Sequence, residues 1–307
     1  MARPVIGVLA GTPSQIGESS SVDSMNNRNE TGEFLATRRA KITPDQAGLP
    51  SSGNRRVPGL RRGEVAALAG VSVEYYTRLE RGNLAGVSES VLEALSRALR
   101  LDEAERTHLH DLARAAGTST RRSRTKAAQR IKPGVQIILD SMTNAPAFVR
   151  NGRMDVLATN ALARALYSEL FTDPGIPANL ARFVFLNPHA RDFYLDWNRA
   201  ADDNVAILRT ESGRDPFDRG LTDLVGELST RSIEFRVRWA AHNVRQHYTG
   251  SKDFHHPAIG DLHLIYEAMD LPASPGLSML VYNAEPGTAS IDALHLLASW
   301  AATNAIA

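Results

Sequence analysis

Residues 62–82 read RGEVAALAGVSVEYYTRLERG, and this stretch decides the fold of the first half of the chain. Its apolar residues recur at the three- and four-residue spacing of a helix on both sides of a central glycine. Gly70 can take the left-handed conformation that ends a helix, and Ser72 can cap the next helix with its hydroxyl oxygen. The pattern therefore predicts two short helices, over residues 62–69 and 73–81, joined by a tight turn.

The side chains of this segment have the sizes that a helix-turn-helix requires. Ala66 is small enough for the two helices to cross closely, and the central glycine permits the turn. Val71, Tyr76 and Leu79 are apolar and would anchor the second helix to the core. The outer face of that helix is then left to enter the major groove of DNA. The residues on this face are Val73, Glu74, Thr77 and Arg78.

The sequence around this segment predicts three further helices, so we expect a five-helix domain over residues 32–117. The first of the five covers residues 33–41. The fourth begins after Ser88, and the fifth begins after Asp102 and stops at Gly117. A glutamate follows Asp102 three residues later, which is the pattern of a capping box.

A loop rich in proline, glycine and serine occupies residues 42–60, between the first two helices. It is long for a connection between helices, and long loops are often functional. It carries Arg55 and Arg56. Two interpretations remain open: the two arginines contact the DNA backbone or minor groove, or they stay solvated.

The segments that flank the helical domain differ in composition. Residues 1–31 are rich in Gly, Ser and Asn without a helical period, so we expect a flexible N-terminal extension, with Met25 a candidate for the natural start. Residues 118–132 carry six basic residues and no acidic one, and we interpret them as a basic interdomain linker.

Charge is divided unevenly along the chain although its net value is only +1. Residues 32–132 hold 19 Lys and Arg against 11 Asp and Glu, whereas residues 133–307 hold 14 against 20. A basic first half is typical of contact with a polyanion such as DNA. A basic surface without a partner is the alternative.

The composition excludes several classes of protein. The chain has 307 residues and no cysteine, so disulfides, thiolate nucleophiles and cysteine-ligated metals are excluded. No apolar run is long enough to span a membrane. His108 and His110 are two residues apart on a helix, which directs their rings apart. The H-E-x-x-H, Walker, G-x-G-x-x-G and G-x-S-x-G motifs are absent from the sequence. We therefore expect neither an enzyme nor a metal site, and a cytoplasmic location.

The second half alternates strand and helix patterns, which predicts an α+β domain over residues 133–307. Asn151-Gly152 lies between two short apolar runs and predicts a hairpin. The predicted strands cover residues 147–150, 154–159, 252–255, 262–269 and 277–283. The predicted helices cover residues 135–142, 160–171, 190–210, 217–246 and 289–302.

Several segments of the chain resemble those of a known family. Residues 70–82 read GVSVEYYTRLERG, which is similar to the helix-turn-helix of phage-repressor-like (XRE-family) regulators. The PGLRR lead-in at residues 58–62 is closer still to the MmyB-like regulators. Their C-terminal domain is resembled by NLARFVFLNPHARDFYLDW (179–197), FHHPAIGDLHLIYEAMDLP (254–272) and VYNAEPG (281–287). The resemblance implies a transcription regulator with a PAS-like ligand-binding domain.

The resemblance also implies roles for single residues. Arg62 and Ser72 occupy positions that contact phosphate, while Val73, Glu74 and Arg78 match positions that read base edges. For Arg78, a salt bridge to Glu74 is the alternative. The full set of candidate DNA-binding residues is Arg55, Arg56, Arg61, Arg62, Ser72, Val73, Glu74, Tyr75, Thr77 and Arg78.

For the C-terminal domain the resemblance implies a small apolar ligand, fatty-acyl-like in character, that acts as effector. The second half of the chain is rich in large aromatic residues, which commonly line ligand sites, although packing in the core is the alternative for each of them. The candidate ligand-binding residues are Arg182, Phe183, Phe185, Trp197, Trp239, Tyr266 and Tyr282.

Taken together, the sequence predicts an N-terminal all-α five-helix helix-turn-helix domain followed by a PAS-like α+β domain. The expected function is that of a sequence-specific regulator that binds double-stranded DNA as a homodimer and senses a small molecule. No catalytic residue, metal or cofactor is expected. The alternative is a protein-interaction or adaptor module in which the helix-turn-helix is only structural.

Overall fold

A computed structural model describes residues 18–50, 57, 59–117, 131–172, 177–244 and 248–304, with side chains described from residue 28 to residue 302 within these ranges. The predicted Arg55 and Arg56 contacts, and residues 118–130 of the predicted linker, lie outside these residues. So do the first 17 residues of the predicted N-terminal extension.

The N-terminal domain is helical, as the sequence predicts. Its core includes Phe34, Leu60, Tyr76, Leu79 and Leu95, all of them buried. The five helices in the described part of this domain are α1 (Glu18–Lys41), α2 (Arg62–Ala69), α3 (Val73–Glu80), α4 (Glu89–Ala98) and α5 (Glu103–Gly117).

The local signals around the helix-turn-helix act as the sequence indicates. Gly70 ends α2 with a φ of 66°, a left-handed conformation that favours glycine. The backbone N–H of Tyr75 donates to Ser72 Oγ at 3.0 Å, so Ser72 caps α3. At the start of α5 the backbone N–H of Glu105 donates to Asp102 Oδ1 at 2.8 Å, and that of Asp102 donates back to Glu105 Oε2 at 3.1 Å. The predicted capping box is confirmed.

Helix α1 is much longer than the predicted helix over residues 33–41. It begins at Glu18, so the prediction of a flexible extension is wrong for residues 18–31. Tertiary contact accounts for the part near the predicted helix: Thr31 is buried, and Gly32 lies close against the backbone of Glu80. Because these two residues are small, they leave no apolar period in the sequence.

The C-terminal domain is α+β, and its centre is a five-stranded antiparallel sheet with strand order β2-β1-β5-β4-β3. One face packs against most of the helices of this domain through residues such as Phe148 and Tyr282, and the other face is partly covered by α6 through Leu139. The strands are β1 (Ala147–Asn151), β2 (Val156–Thr159), β3 (Thr249–His256), β4 (Gly260–Asp270) and β5 (Leu277–Asn283).

The helices of this domain depart from prediction where polar side chains cap them. Asn179 Oδ1 accepts from the backbone N–H of Arg182 at 2.9 Å and begins a helix that was not predicted. Asp196 and Ser232 are caps that divide the two long predicted helices. A 3-10 turn at Ser168–Phe171 follows α7. The helices are α6 (Pro133–Ser141), α7 (Ala161–Leu166), α8 (Leu180–Leu186), α9 (Ala190–Phe193), α10 (Trp197–Arg214), α11 (Arg219–Arg231), α12 (Ile233–Ala240) and α13 (Ala289–Asn304).

Candidate functional site

Helix α3 presents the outer face that the sequence predicts. Tyr76 and Leu79 are fully buried and fix the helix to the domain core. On the opposite side Glu74 and Arg78 are exposed, and Val73 is 45% exposed. An exposed apolar side chain flanked by charged ones is suited to contact with thymine methyl groups and base edges in a major groove.

Arg78 contacts Tyr75 and not Glu74, which the sequence offered as an alternative partner. Its guanidinium lies over the ring of Tyr75, with Cζ 4.7 Å from the ring centroid. No ion pair joins Arg78 to Glu74 among the described side chains. Stacking leaves the N–H groups in the guanidinium plane able to donate, which is the geometry that bidentate recognition of guanine uses. Thr77, on the same helix, is half-buried.

Arg62 is held at the start of α2 by a buried carboxylate. Its Nε donates to Glu80 Oε2 at 3.1 Å, while 55% of its side chain remains exposed. Arg39 Nη2 donates to the other oxygen of Glu80 at 2.7 Å. Burial would lower the pKa of Arg39, but the contact with Glu80 raises it above its ordinary value. Glu80 thus joins α1, α2 and α3, and sequence analysis did not find this role for Arg39.

The N-terminus of α2 is exposed beside this cluster. Arg61 is its N-cap residue, and the Arg61 backbone N–H donates to Glu64 Oε2 at 2.6 Å. The side chains of Arg61 and Ser72 are both exposed. Arg61, Arg62 and Ser72 therefore place two cations and a hydroxyl at the starts of the two helices, where backbone N–H groups also favour phosphate.

Four of the predicted ligand-binding aromatics, Phe183, Trp197, Tyr266 and Tyr282, are buried in the packed interior of the domain. The hydroxyls of Tyr282 and Tyr167 lie 2.9 Å apart in a hydrogen bond, and burial raises the pKa of both. Trp197 Nε1 donates to the carbonyl of Val184 at 3.0 Å.

The other three candidates lie toward the surface of the helices. Arg182 Nε donates to Glu227 Oε2 at 2.8 Å, so its charge is already paired. Phe185 and Trp239 both pack on Phe235, with ring centroids 5.1 Å and 5.5 Å away. These contacts give each of the three a structural role within the domain.

A cavity of about 220 Å³ instead lies between α10 and one end of the sheet. Arg150, Glu211 and Asp270 are among its lining residues. Sequence analysis missed Arg150 because a basic residue in a short hairpin strand looks solvent-facing. A second, much smaller cavity lies beside Lys252, and burial lowers the pKa of that lysine to about 8. None of the seven predicted ligand-binding residues is among the described residues that line either cavity.

The two domains meet at a cluster of buried charged groups, which we call the interdomain ion cluster: Glu30, His108, Arg209 and His242. Arg209 is fully buried, and its guanidinium donates to the Glu30 carboxylate. His242 Nδ1 and His108 Nε2 lie 3.4 Å and 3.6 Å from the same carboxylate oxygen. Burial raises the pKa of Glu30, but these neighbours outweigh it and hold the pKa well below its usual range.

His110 has a simpler role, at the contact between α4 and α5. Its Nδ1 lies 3.1 Å from Glu89 Oε1, and its Nε2 lies 3.5 Å from Glu93 Oε1. The carboxylates of Glu89 and Glu93 thus lie near the same imidazole at the contact between the helices, and its Nε2 has no hydrogen-bond partner among the described residues. None of the helices in the described ranges combines the length and apolar character that a membrane span requires.

Comparison with known families agrees with this architecture. The model of the MmyB-like transcription regulator ligand binding domain matches residues 131–297, just over half of the chain. A helix-turn-helix domain model matches residues 30–109. A search of curated proteins finds no significant match. The two matches, an N-terminal helix-turn-helix and a C-terminal regulator domain, follow the order that the motifs predicted, and the chain belongs to the MmyB-like transcription regulators.

Proposed function

We propose that this regulator recognises a specific DNA sequence with α3 and that its C-terminal domain senses a small molecule and pairs two protomers. The observation that carries the proposal is the exposed face of α3 on a helix-turn-helix whose turn, cap and core contacts are all in place. A recognition helix of this kind lies in the major groove, while the helix before it contacts the backbone. Such a protein acts in the cytoplasm, where it has access to the chromosome.

Each exposed residue has a distinct proposed role. Val73, Glu74 and Arg78 read base edges, with Thr77 at the border of the contact. The phosphate contacts come from Arg61, Arg62, Ser72 and Tyr75 around the helix starts, and from Arg55 and Arg56 in the sequence that precedes α2.

Dimerisation is proposed from the requirements of the motif. One short recognition helix reads only a few base pairs, and helix-turn-helix proteins gain specificity by placing two copies on half-sites about one helical turn apart. The interdomain ion cluster supports effector control, because it joins the DNA-binding domain to α10 of the ligand domain. A ligand that shifts α10 would then change how the helix-turn-helix is held.

Selection of fragmented genomic DNA by the purified full-length protein tests this proposal. We expect recovered fragments to share an inverted repeat, with affinity that falls steeply as salt rises. Val73→Asp should abolish the enrichment, because it adds a negative charge to the face of α3. Ile233→Asp is the matched control, since Ile233 is 62% exposed in the C-terminal domain.

The outcomes separate the candidate functions. Equal enrichment by the wild type and Val73→Asp would contradict the assignment of α3. An absence of enrichment by the wild type would favour the adaptor function, in which the helix-turn-helix serves only as structure. A single, unpaired motif would contradict the dimer but not recognition by α3.

A further inference from the structure

The cavity of about 220 Å³ has a mixed lining, in which apolar surface is joined by four charged side chains that a purely apolar ligand would not match. It lies between the C-terminal half of α10 and the ends of β1, β4 and β5. Thr210, Tyr248 and Ser278 contribute hydroxyls, and Ile207 and Leu271 contribute apolar surface. Sites for drug-sized ligands are roughly 300–1,000 Å³, so this cavity suits a smaller molecule.

Arg150 is the most informative residue of this lining. It is only 7% exposed, and its Nη1 donates to the carbonyl of Asn151 at 3.3 Å. Its Nε has no acceptor among the described residues, and no described carboxylate forms an ion pair with it. Burial lowers the pKa of Arg150, and the charges of Glu211 and Asp270 offset only part of this effect. Buried charges are normally paired, so this one calls for an anionic partner.

The sheet register places a carboxylate in the same row as this arginine. Arg150 of β1 and Asp270 of β4 both pair with Ser278, from its two sides. Two interstrand spacings separate their backbones, which is about 10 Å. The Ser278 hydroxyl donates to Asp270 Oδ1 at 2.7 Å. Glu211, on α10, packs against the backbone of Gly152, next to β1.

The charges of the lining balance. Arg150 and Arg214 are cationic, Glu211 and Asp270 are anionic, and Arg214 Nη1 lies 3.8 Å from Glu211 Oε2. A simple anion that reached Arg150 would also meet two carboxylates. A small zwitterion would satisfy both signs, with its own carboxylate on the guanidinium and its ammonium group toward the acidic side chains.

The geometry points to this cavity as a binding site for a free α-amino acid, whose carboxylate pairs with Arg150 and whose ammonium group faces Glu211 and Asp270. This inference rests on the proposed effector-controlled function and names the class of effector. Helix α10 links the two, because it carries Glu211 in the cavity and Arg209 in the interdomain ion cluster, only two residues apart.

Thermal unfolding of the full-length protein with each common L-amino acid tests the inference. We expect at least one amino acid to raise the wild-type Tm by about 5 °C when its concentration is about 100-fold above Kd. Arg150→Met should lose the shift. Thr210→Phe, which fills the cavity without changing a charge, should lose it too. Arg164→Met is the matched control, because Arg164 lies over the ring of Phe171 and is not among the described lining residues.

The chemistry is tested with analogues of the best amino acid. Its decarboxylated amine and its carboxamide should each bind at least about tenfold more weakly, since both lack the partner of a buried charged group. The inference is overturned if no amino acid shifts the wild-type Tm, if Arg150→Met responds like the wild type, or if the amine binds equally well. Should Arg150→Met fail to fold, the response of Thr210→Phe decides.

These results are independent of DNA binding, which the genomic selection measures. A protein that enriches an operator but ignores every amino acid would overturn this inference and leave the regulator function intact. A protein that binds an amino acid through Arg150 but enriches no DNA would support this inference and contradict the regulator function.

Discussion

Glu80 and Tyr75 each contact one arginine of the proposed DNA-binding face. Glu80 pairs with Arg62, which keeps one side of that guanidinium occupied and its remaining N–H groups close to the starts of α2 and α3. The guanidinium of Arg78 lies over the ring of Tyr75, which limits the positions that the arginine side chain can take. A tethered cation suits a phosphate, whose position does not depend on sequence, and a stacked planar cation suits a base edge.

Substitution of these two arginines should therefore have different effects. Arg78→Ala should cost about 1–3 kcal/mol at the specific site, with little loss on unrelated DNA, because a base contact is removed. Arg62→Ala should weaken binding to all sequences about equally and reduce the salt slope by about 1. Titration of the operator and an unrelated duplex over a range of salt measures both. Equal losses on the two duplexes for Arg78→Ala would contradict its role.

The roles of some single residues can be predicted from local sequence, and those of others cannot. Ser72 and Gly70 act on their immediate neighbours, so their roles follow from local sequence. Tyr282 is a ligand candidate because aromatic residues commonly line ligand sites, and the structure buries it fully, which is also the result of packing in the core. Periodicity predicts which side of a strand is buried, and it does not predict whether that side meets a cavity.

At the scale of elements, the close crossing of α1 over the end of α3 fixes the position of the proposed recognition helix. Gly32 lies at this crossing, and a Cβ added there would be only 2.7 Å from the carbonyl oxygen of Glu80. Backbone atoms on both sides would have to move to make room. The same end of α3 carries the Glu80 carboxylate that pairs with Arg39 of α1.

Gly32→Ala should consequently lower the free energy of unfolding by about 1–3 kcal/mol, through overpacking at this crossing. Gly63→Ala is the matched control in α2, since its new methyl group would come no closer than 3.9 Å to a neighbouring atom, Val73 Cγ2. The control should be neutral or slightly stabilising. Urea unfolding of the full-length variants measures the difference, and equal stabilities would contradict a tight crossing.

The predicted helices have signals within a few neighbouring residues, whereas the missed helices do not. The α5 capping box is contained in four consecutive residues, and it was predicted. The first half of α1 and the whole of α8 were missed, and for α8 a distant part of the chain stabilises the start of the helix. The hydrogen bond from Asn179 Nδ2 to Asp155 Oδ1, at 2.8 Å, belongs to such a contact, and no short window of sequence contains it.

For the whole molecule, the interdomain ion cluster makes the orientation of the two domains depend on a few buried charges. Arg209 is its centre, and it also donates to the carbonyl of Trp239. Arg38 of α1 donates to the carbonyl of His242, which adds a second link between the domains. Packing of α5 against α10 completes the contact, with Gly213 directly beside His108.

Arg209→Met should uncouple the domains, because removal of one partner leaves the buried Glu30 carboxylate without its cation, at a cost of about 3 kcal/mol. Calorimetry should show the wild type unfolding in one main transition and the variant in two. Arg199→Met is the matched control, as an exposed arginine on the same helix. A single transition in both variants would show that the cluster does not couple the domains.

Low pH should weaken the interdomain ion cluster, over the pH range in which Glu30 is protonated. The pKa of Glu30 is lowered in the folded protein, so its contribution is fully present above the unfolded value of about 4.3 and is lost as pH falls through the lower folded value. Glu30→Gln should remove this part of the acid dependence. Urea unfolding between about pH 2.5 and pH 6 measures it, and parallel curves for wild type and variant would contradict the assignment.

One of the three tryptophans lies against this cluster, and that gives the molecule its own optical reporter. Arg209 Cζ is 3.9 Å from the ring centroid of Trp239, which also stacks on Phe235. Separation of the domains would take the guanidinium from the indole and admit water, so its emission should move to longer wavelength. A Trp197→Phe, Trp300→Phe protein would then show domain rearrangement as a change of fluorescence, without any attached dye.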